Sequence, residues 1–161
     1  RMRRKMGLGL VVVDYVQLMK HRAENRLQEV SELSRGLKAI AKEFGIPLLA
    51  VCQINRAAEG RTDRRPIMSD LRESGQIEQD AAAIIMLYRY EVYVPATHLQ
   101  GYGEALVRKM RDGPTGDVLL RWDGARNRWV DHSGPWPESR AEENPAAPRR
   151  KRTVSQDWSG A

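Results

Sequence analysis

The sequence predicts an α/β fold: a mostly parallel sheet flanked by helices, with a C-terminal β-hairpin at the sheet edge. Three observations carry this. Two short apolar runs, Leu8–Val13 and Ile46–Cys52, flank an amphipathic stretch, the order of a strand–helix–strand unit. Neither run alternates polar with apolar residues, the pattern of strands covered on both faces. Further on, Asp117–Trp122 and Asn127–Val130 are spaced as a hairpin.

Taken in order, the first strand ends abruptly in a carboxylate, Asp14. Lys20–Glu24 is polar and reads as a loop. Asn25 with Gln28 three positions on has the spacing of a capping box, which satisfies the free amides of a helix start. Leu27, Val30, Leu33, Leu37, Ile40 and Phe44 then recur at helical spacing as one apolar stripe. Gly45 and Pro47 stop the helix, and the second strand ends in Gln53. Asn55–Met68 has no apolar periodicity and carries Arg56, Arg61, Arg64 and Arg65, a mobile basic loop. Ser69 with Arg72 and Glu73 can open a turn or short helix that Gly75 interrupts. Ala83–Tyr88 reads as a third buried strand, Tyr90–Gly103 as a loop and Ala105–Met110 as a strand. Gly113–Gly116 is turn chemistry. The fold is expected over 1–132. Ser133–Ala161, rich in proline and charge and poor in aliphatic residues, is expected to be disordered. Its Arg149–Arg152 cluster reads as a solubilising run or as a contact to a polyanion.

The 161 residues suffice for one modest domain, and the net charge of +6 favours a polyanionic partner without identifying one. A single cysteine, Cys52, excludes an internal disulfide. With no signal peptide and no apolar run of membrane-spanning length, the expected location is cytoplasmic. RMRRKMG runs straight into a strand that needs neighbours, so the chain is expected to be part of a longer protein.

Four groups have chemical potential, and each has a plainer reading. An apolar strand ending in aspartate is how P-loop NTPases hold Mg²⁺, but aspartate also forms turns after strands, and Asp14 alone leaves both open. Gln53, at the neighbouring strand end, can sense a phosphate or simply face water. Arg72, Glu73, Ser74 and Gly75 can hold a phosphate backbone, with glycine permitting close approach, or form a solvated connector. Lys109 and Arg111, two apart at a strand end, point to one side, where they can act on another subunit's nucleotide or merely discourage edge aggregation. No G-x-x-x-x-G-K-[ST] phosphate loop occurs anywhere in the chain.

The order and wording of the segments are more specific than any one of them. GLGLVVVDYVQLM, NRLQEVSELSRGLKAIAKEFGIPLLAVCQINRAAEGR, RRPIMSDLRESGQIEQDAAAIIMLYR and KMRDGPTG together resemble the C-terminal domain of bacterial replicative DNA helicases, the DnaB family, from about Arg1 to Val130. DLRESG followed by IEQDA is close to a signature. The resemblance implies a RecA-like fold in a homo-hexameric ring that hydrolyses ATP with Mg²⁺ and moves 5′ to 3′ on single-stranded DNA, with primase and a helicase loader as partners. By position, Asp14 resembles the Mg²⁺-site aspartate and Gln53 the glutamine that senses the γ-phosphate. Lys109 and Arg111 resemble the trans-acting lysine and arginine finger, and Arg72, Glu73 and Gly75 the loop that grips the DNA backbone.

Three residues depart from the family: Cys52 where serine is usual, Met110 where glutamine is, and Ala82 where an aspartate follows EQDA. The family's collar domain, linker helix, phosphate loop and water-activating glutamate have no counterpart in the sequence. The chain alone is therefore expected to be inactive as an ATPase. Two other functions fit the residues: a non-catalytic module that joins helicase rings or binds DNA, and another RecA-like ATPase such as a recombination mediator.

Overall fold

A computed structural model of the chain describes residues 7–71 and 75–137. Strand β1 (Val11–Val13) and strand β2 (Leu48–Ala50) pair in parallel, Val12 opposite Leu49, joined by helix α1 (Arg26–Phe44) as the crossover. The strands are shorter than the apolar runs that announce them.

Helix α1 begins and ends on side-chain and glycine chemistry. The Asn25 carboxamide accepts a hydrogen bond from the Gln28 amide at 2.9 Å. The reciprocal half of the expected capping box does not form, because the Gln28 side chain donates to Glu32 instead. Gly45 closes the helix in the left-handed region, φ +57°, its amide reaching the Ala41 and Lys42 carbonyls. Of the apolar stripe, Val30, Leu33 and Leu37 are buried, and Leu33 and Leu37 form a core with Val16 against Val13, Leu48 and Cys52. Leu27 and Ile40 stay exposed, since the α1–sheet layer is narrow.

The expectation of a mostly parallel sheet needs correction. Only β1 and β2 are parallel; β3 (Ala83–Tyr88), β4 (Tyr102–Met110), β5 (Gly116–Asp123) and β6 (Arg128–Asp131) form a separate antiparallel sheet in that order. The β5–β6 hairpin lies at its edge as expected. Nor are the apolar strands covered on both faces. On β3, Ile84, Met86 and Tyr88 are buried around Leu106, while Ile85 and Leu87 on the other face are exposed.

Helix α2 (Gly75–Asp80) starts at the glycine that the sequence casts as an interruption. It packs on α1 through polar groups. Asp80 accepts from Ser34 Oγ at 2.9 Å and from Lys38 Nζ at 3.0 Å, and Arg35 donates to Gln76 at 3.1 Å. Burial alone would push the Asp80 carboxyl upward, but Gln76, Lys38 and Ser34 together hold it below the usual range.

Gly103 on β4 is a packing requirement. A Cβ there would lie 2.0 Å from the Trp129 ring, which itself stacks edge-on against Trp122. Gly103→Ala is expected to cost about 1–3 kcal/mol in urea unfolding through overpacking; a loss below a few tenths would show that the ring moves freely. Beyond β6, residues 132–137 form no helix or strand, and Trp136 and Pro137 line a small hollow with Tyr88, Leu99 and Tyr102. The rest of the expected tail, 138–161, lies outside the described residues.

Candidate nucleotide and nucleic-acid site

Asp14 and Gln53 lie just beyond the carboxyl ends of β1 and β2, where α/β folds place ligands. Backbone pairing continues past the regular strands: the Val51 amide donates to the Val13 carbonyl, and the Val16 amide to the Val51 carbonyl, each at 2.9 Å. The peptide bond between Asp14 and Tyr15 is cis. The chain then turns through a 3₁₀ segment, Val16–Leu18, which buries Val16.

Gln17 in that turn is a residue the sequence reading missed. Its Nε2 donates to the Gln53 carbonyl at 2.9 Å, and the Gln53 amide donates to its Oε1 at 3.2 Å. This two-way amide clamp fixes the Gln53 backbone. Arg26 in turn donates to the Gln17 carbonyl at 3.1 Å and pairs with Glu29, whose other oxygen accepts from the His21 amide. The His21 amide, then Arg26, hold the Glu29 carboxyl below its ordinary value. The signal was a lone amide inside an otherwise apolar turn, which no motif marks.

The Asp14 and Gln53 side chains are both exposed. They continue the alternate positions of one sheet face, Leu10–Val12–Asp14 and Leu49–Val51–Gln53, opposite the face that packs on α1. Among the described residues the Asp14 carboxylate has no hydrogen-bonding or ionic partner, and no cluster of three metal-ligating side chains occurs. A lone, open carboxylate fits Mg²⁺, which keeps most of its waters and takes one or two carboxylates plus phosphate oxygens. Beside Gln53 a cleft of about 200 Å³ opens between Gln17, Arg26, Asn55, Leu71 and Ile77.

Arg72, Glu73 and Ser74 lie outside the described residues, between Leu71 and the start of α2 at Gly75. The segment before them is not the free basic loop that its composition suggests. Arg61 reaches both Asp70 oxygens at 2.8 and 2.7 Å and the Arg65 carbonyl at 2.8 Å. Arg65 is itself buried, bonded to Glu104 at 2.8 and 2.6 Å and lying over the Tyr88 ring. Arg64 lies over Tyr93. Of the arginines in this segment, these three are therefore committed to the fold.

The Arg61 guanidinium holds the buried Asp70 carboxyl below its usual range despite its burial, with help from the Ile67 amide. A carboxyl depressed in the folded state stabilises above its unfolded pKa, and that contribution is lost as pH falls through the folded value. Wild-type stability in urea is therefore expected to fall more steeply below about pH 4 than that of Asp70→Asn. Parallel slopes would show that the pair contributes nothing.

Lys109 and Arg111 sit at the far end of β4, in the antiparallel sheet. Lys109 Nζ donates to the Glu78 carbonyl and, at 3.5 Å, to that of Gln79, a cation at the C-terminus of α2. Arg111 lies one residue past the strand, its amide bonded to the Ala82 carbonyl at 2.8 Å and its side chain exposed. Asp14 and Gln53 thus lie beyond the strand ends of the parallel pair, and Lys109 and Arg111 at the end of β4 in the antiparallel sheet.

Residues 1–131 match the family described as DnaB-like helicase C terminal domain. Curated relatives include the replicative DNA helicase DnaB of Buchnera aphidicola, 47% identical over 82% of this chain and 29% of that protein. That of Pasteurella multocida is 49% identical over 76% of this chain and 27% of its own length. The Geobacillus stearothermophilus protein is 44% identical over 81% and 30%. The chain therefore spans less than a third of the length of these relatives. Among solved structures, an isolated ATPase domain superposes with a TM-score of 0.75 at 38% identity, covering 81% of this chain and 47% of that one. A DnaB-like replicative helicase described with its interactions with primase gives the same score and identity over 32% of its length. By sequence and by fold, the chain belongs to the DnaB-like helicase C-terminal domain family.

Proposed function

We propose that the chain is the C-terminal part of the motor of a replicative DNA helicase, a cytoplasmic homo-hexameric ring that couples ATP hydrolysis to 5′-to-3′ movement on single-stranded DNA. Primase and a helicase loader are the partners this reading implies. The observation that carries it is the placement of Asp14 and Gln53 beyond the carboxyl ends of two neighbouring parallel strands, inside a family match that runs from residue 1 to 131.

Mg²⁺-bound ATP supplies the transferable phosphoryl group and the charge that must be neutralised as it leaves. Asp14 would hold the metal, and Gln53, its backbone fixed by Gln17, would present its side-chain amide to the γ-phosphate. Lys109 and Arg111 neutralise charge on the nucleotide of the adjacent subunit. Arg72, Glu73 and Gly75 hold the DNA backbone and read no bases, as an enzyme that passes every sequence requires. The phosphate loop and the water-activating group come from outside the 161 residues, so the chain alone turns over no ATP.

The test is a hybrid. Residues 1–131 replace the matching segment of the Geobacillus stearothermophilus helicase, and unwinding is measured on forks with a single 5′ or 3′ tail. Unwinding that requires the 5′ tail is expected. A folded hexameric hybrid that unwinds neither fork would overturn the assignment in favour of a non-catalytic ring module.

A further inference from the structure

Helix α2 gains little from propensity or packing. It has six residues, begins at Gly75 and buries none of its side chains fully. The apolar clusters around Leu106 and around Val16, Leu33 and Leu37 include no α2 residue. Polar contacts at its C-terminal end hold it instead. Asp80, its last residue, has a side chain only 11% exposed. It accepts from Ser34 Oγ at 2.9 Å and Lys38 Nζ at 3.0 Å on α1, and from Gln76 Nε2 at 3.0 Å one turn back on α2.

A carboxylate at that position opposes the helix dipole, whose negative end lies at the last turn. Two lysines from other elements offset it. Lys38 comes from α1, and Lys109 comes from β4, its ammonium donating to the Glu78 and Gln79 carbonyls. Between α2 and β3 the Ala82 carbonyl accepts from the Arg111 amide at 2.8 Å. Lys109 and Arg111 are therefore both fastened to the C-terminal end of a helix whose first residue is Gly75.

From this convergence we infer that Asp80 is a positioning residue: by keeping α2 helical and seated on α1, it couples DNA at Gly75 to the two cations at the end of β4. This role rests on the proposed function and adds to it the element that carries the coupling. Gly75 stands at a fixed distance from the carbonyls that Lys109 holds, roughly 6 Å along the helix at about 1.5 Å per residue. DNA held at Gly75 thereby sets the position of the residues that serve the neighbouring subunit's nucleotide. Without Asp80 the helix frays, and a displacement at Gly75 is absorbed within α2 rather than passed to β4. An element fastened by polar contacts, with few apolar ones, opens at low cost, which suits a moving part.

The experiment uses the hybrid ring and reads ATP turnover with and without single-stranded DNA. DNA is expected to stimulate the wild-type ring. Asp80→Ala is expected to keep DNA-free turnover and the KM for ATP within about 2-fold, while stimulation by DNA falls about 10-fold, a coupling of ordinary size. Asp80→Asn, which keeps one acceptor oxygen, recovers part of the stimulation. Lys38→Met, at a side chain 39% exposed, removes one of the three donors and lowers stimulation in the same direction. Added to Asp80→Ala it lowers stimulation no further, because the two act through one contact.

Unchanged DNA stimulation in Asp80→Ala, or in Lys38→Met if the first variant does not assemble, would overturn the coupling and leave the helicase assignment standing. An equal loss of DNA-free turnover would also overturn it, making Asp80 a residue that every step requires. A wild-type ring that hydrolyses ATP but ignores DNA would overturn the proposed function and the coupling with it.

Discussion

Arg65→Met is expected to destabilise the chain by about 3–5 kcal/mol, the cost of leaving a buried charge without its partner. Arg65 and Glu104 are 8 and 6% exposed, and their two bonds run fork to fork. Burial works against the Arg65 charge, yet the Glu104 carboxylate beside it raises its pKa further above the ordinary arginine value. Burial also pushes the neighbouring Tyr88 phenol up, so the tyrosine stays neutral beneath the guanidinium. The pair ties residue 65 to β4, and Arg61 holds the same segment through the Arg65 carbonyl and Asp70. Urea unfolding checks the value. Combining Arg65→Met with Glu104→Leu should recover much of the loss, because the stranded carboxylate causes most of it. A single-variant loss under about 1 kcal/mol would place the pair among solvent-screened ion pairs.

Arg111→Ala, in the hybrid ring, is expected to lower the ATP turnover rate about 10³-fold or more with little change in KM, the behaviour of an arginine that acts on the transition state in trans. Its exposed side chain, one residue past the end of β4 and so next to the antiparallel sheet rather than the β1–β2 pair, suits a residue that serves a neighbour. Complementation separates trans from cis action. Asp14→Asn subunits lack a working metal site but still donate Arg111, whereas Arg111→Ala subunits keep the site and need a donor. Mixing the two inactive variants should restore turnover at about a quarter of the sites in a random head-to-tail ring. If Arg111 acted within its own subunit, the mixture would stay inactive.

The strand–helix–strand unit was legible because each signal is local. Asn25, the stripe through Leu37, and Gly45 with Pro47 mark one helix, and the flanking β-branched runs mark its strands. The direction of the remaining strands was not legible. Ala83–Tyr88 is as apolar as a buried parallel strand, but its burial alternates, and its partner is the antiparallel β4. A continuous apolar run does not say which of its faces the fold covers: Ile85 and Leu87 are exposed while Ile84, Met86 and Tyr88 are buried. The Arg61–Arg65 segment misled for a related reason: a run of arginines looks the same whether its charges face a phosphate or pair with Asp70 and Glu104, residues reached only through folding. The strand-end positions of Asp14 and Gln53 were legible, because a strand end is a local feature. Gln17 was not, because its importance depends on facing a residue 36 positions away.

The central claim is that Asp14 is a metal-site residue of a motor ATPase. The most direct test is Mg²⁺-dependent, single-strand-stimulated ATP hydrolysis by the hybrid ring, compared with the same ring carrying Asp14→Asn. The account predicts DNA-stimulated turnover in the first, and in the second at least a 100-fold loss with an intact hexamer, a loss of the size seen when one transition-state contact is removed (about 10²–10³-fold). Equal turnover by the two rings would contradict it, and would return Asp14 to the role of a residue that only turns the chain after a strand.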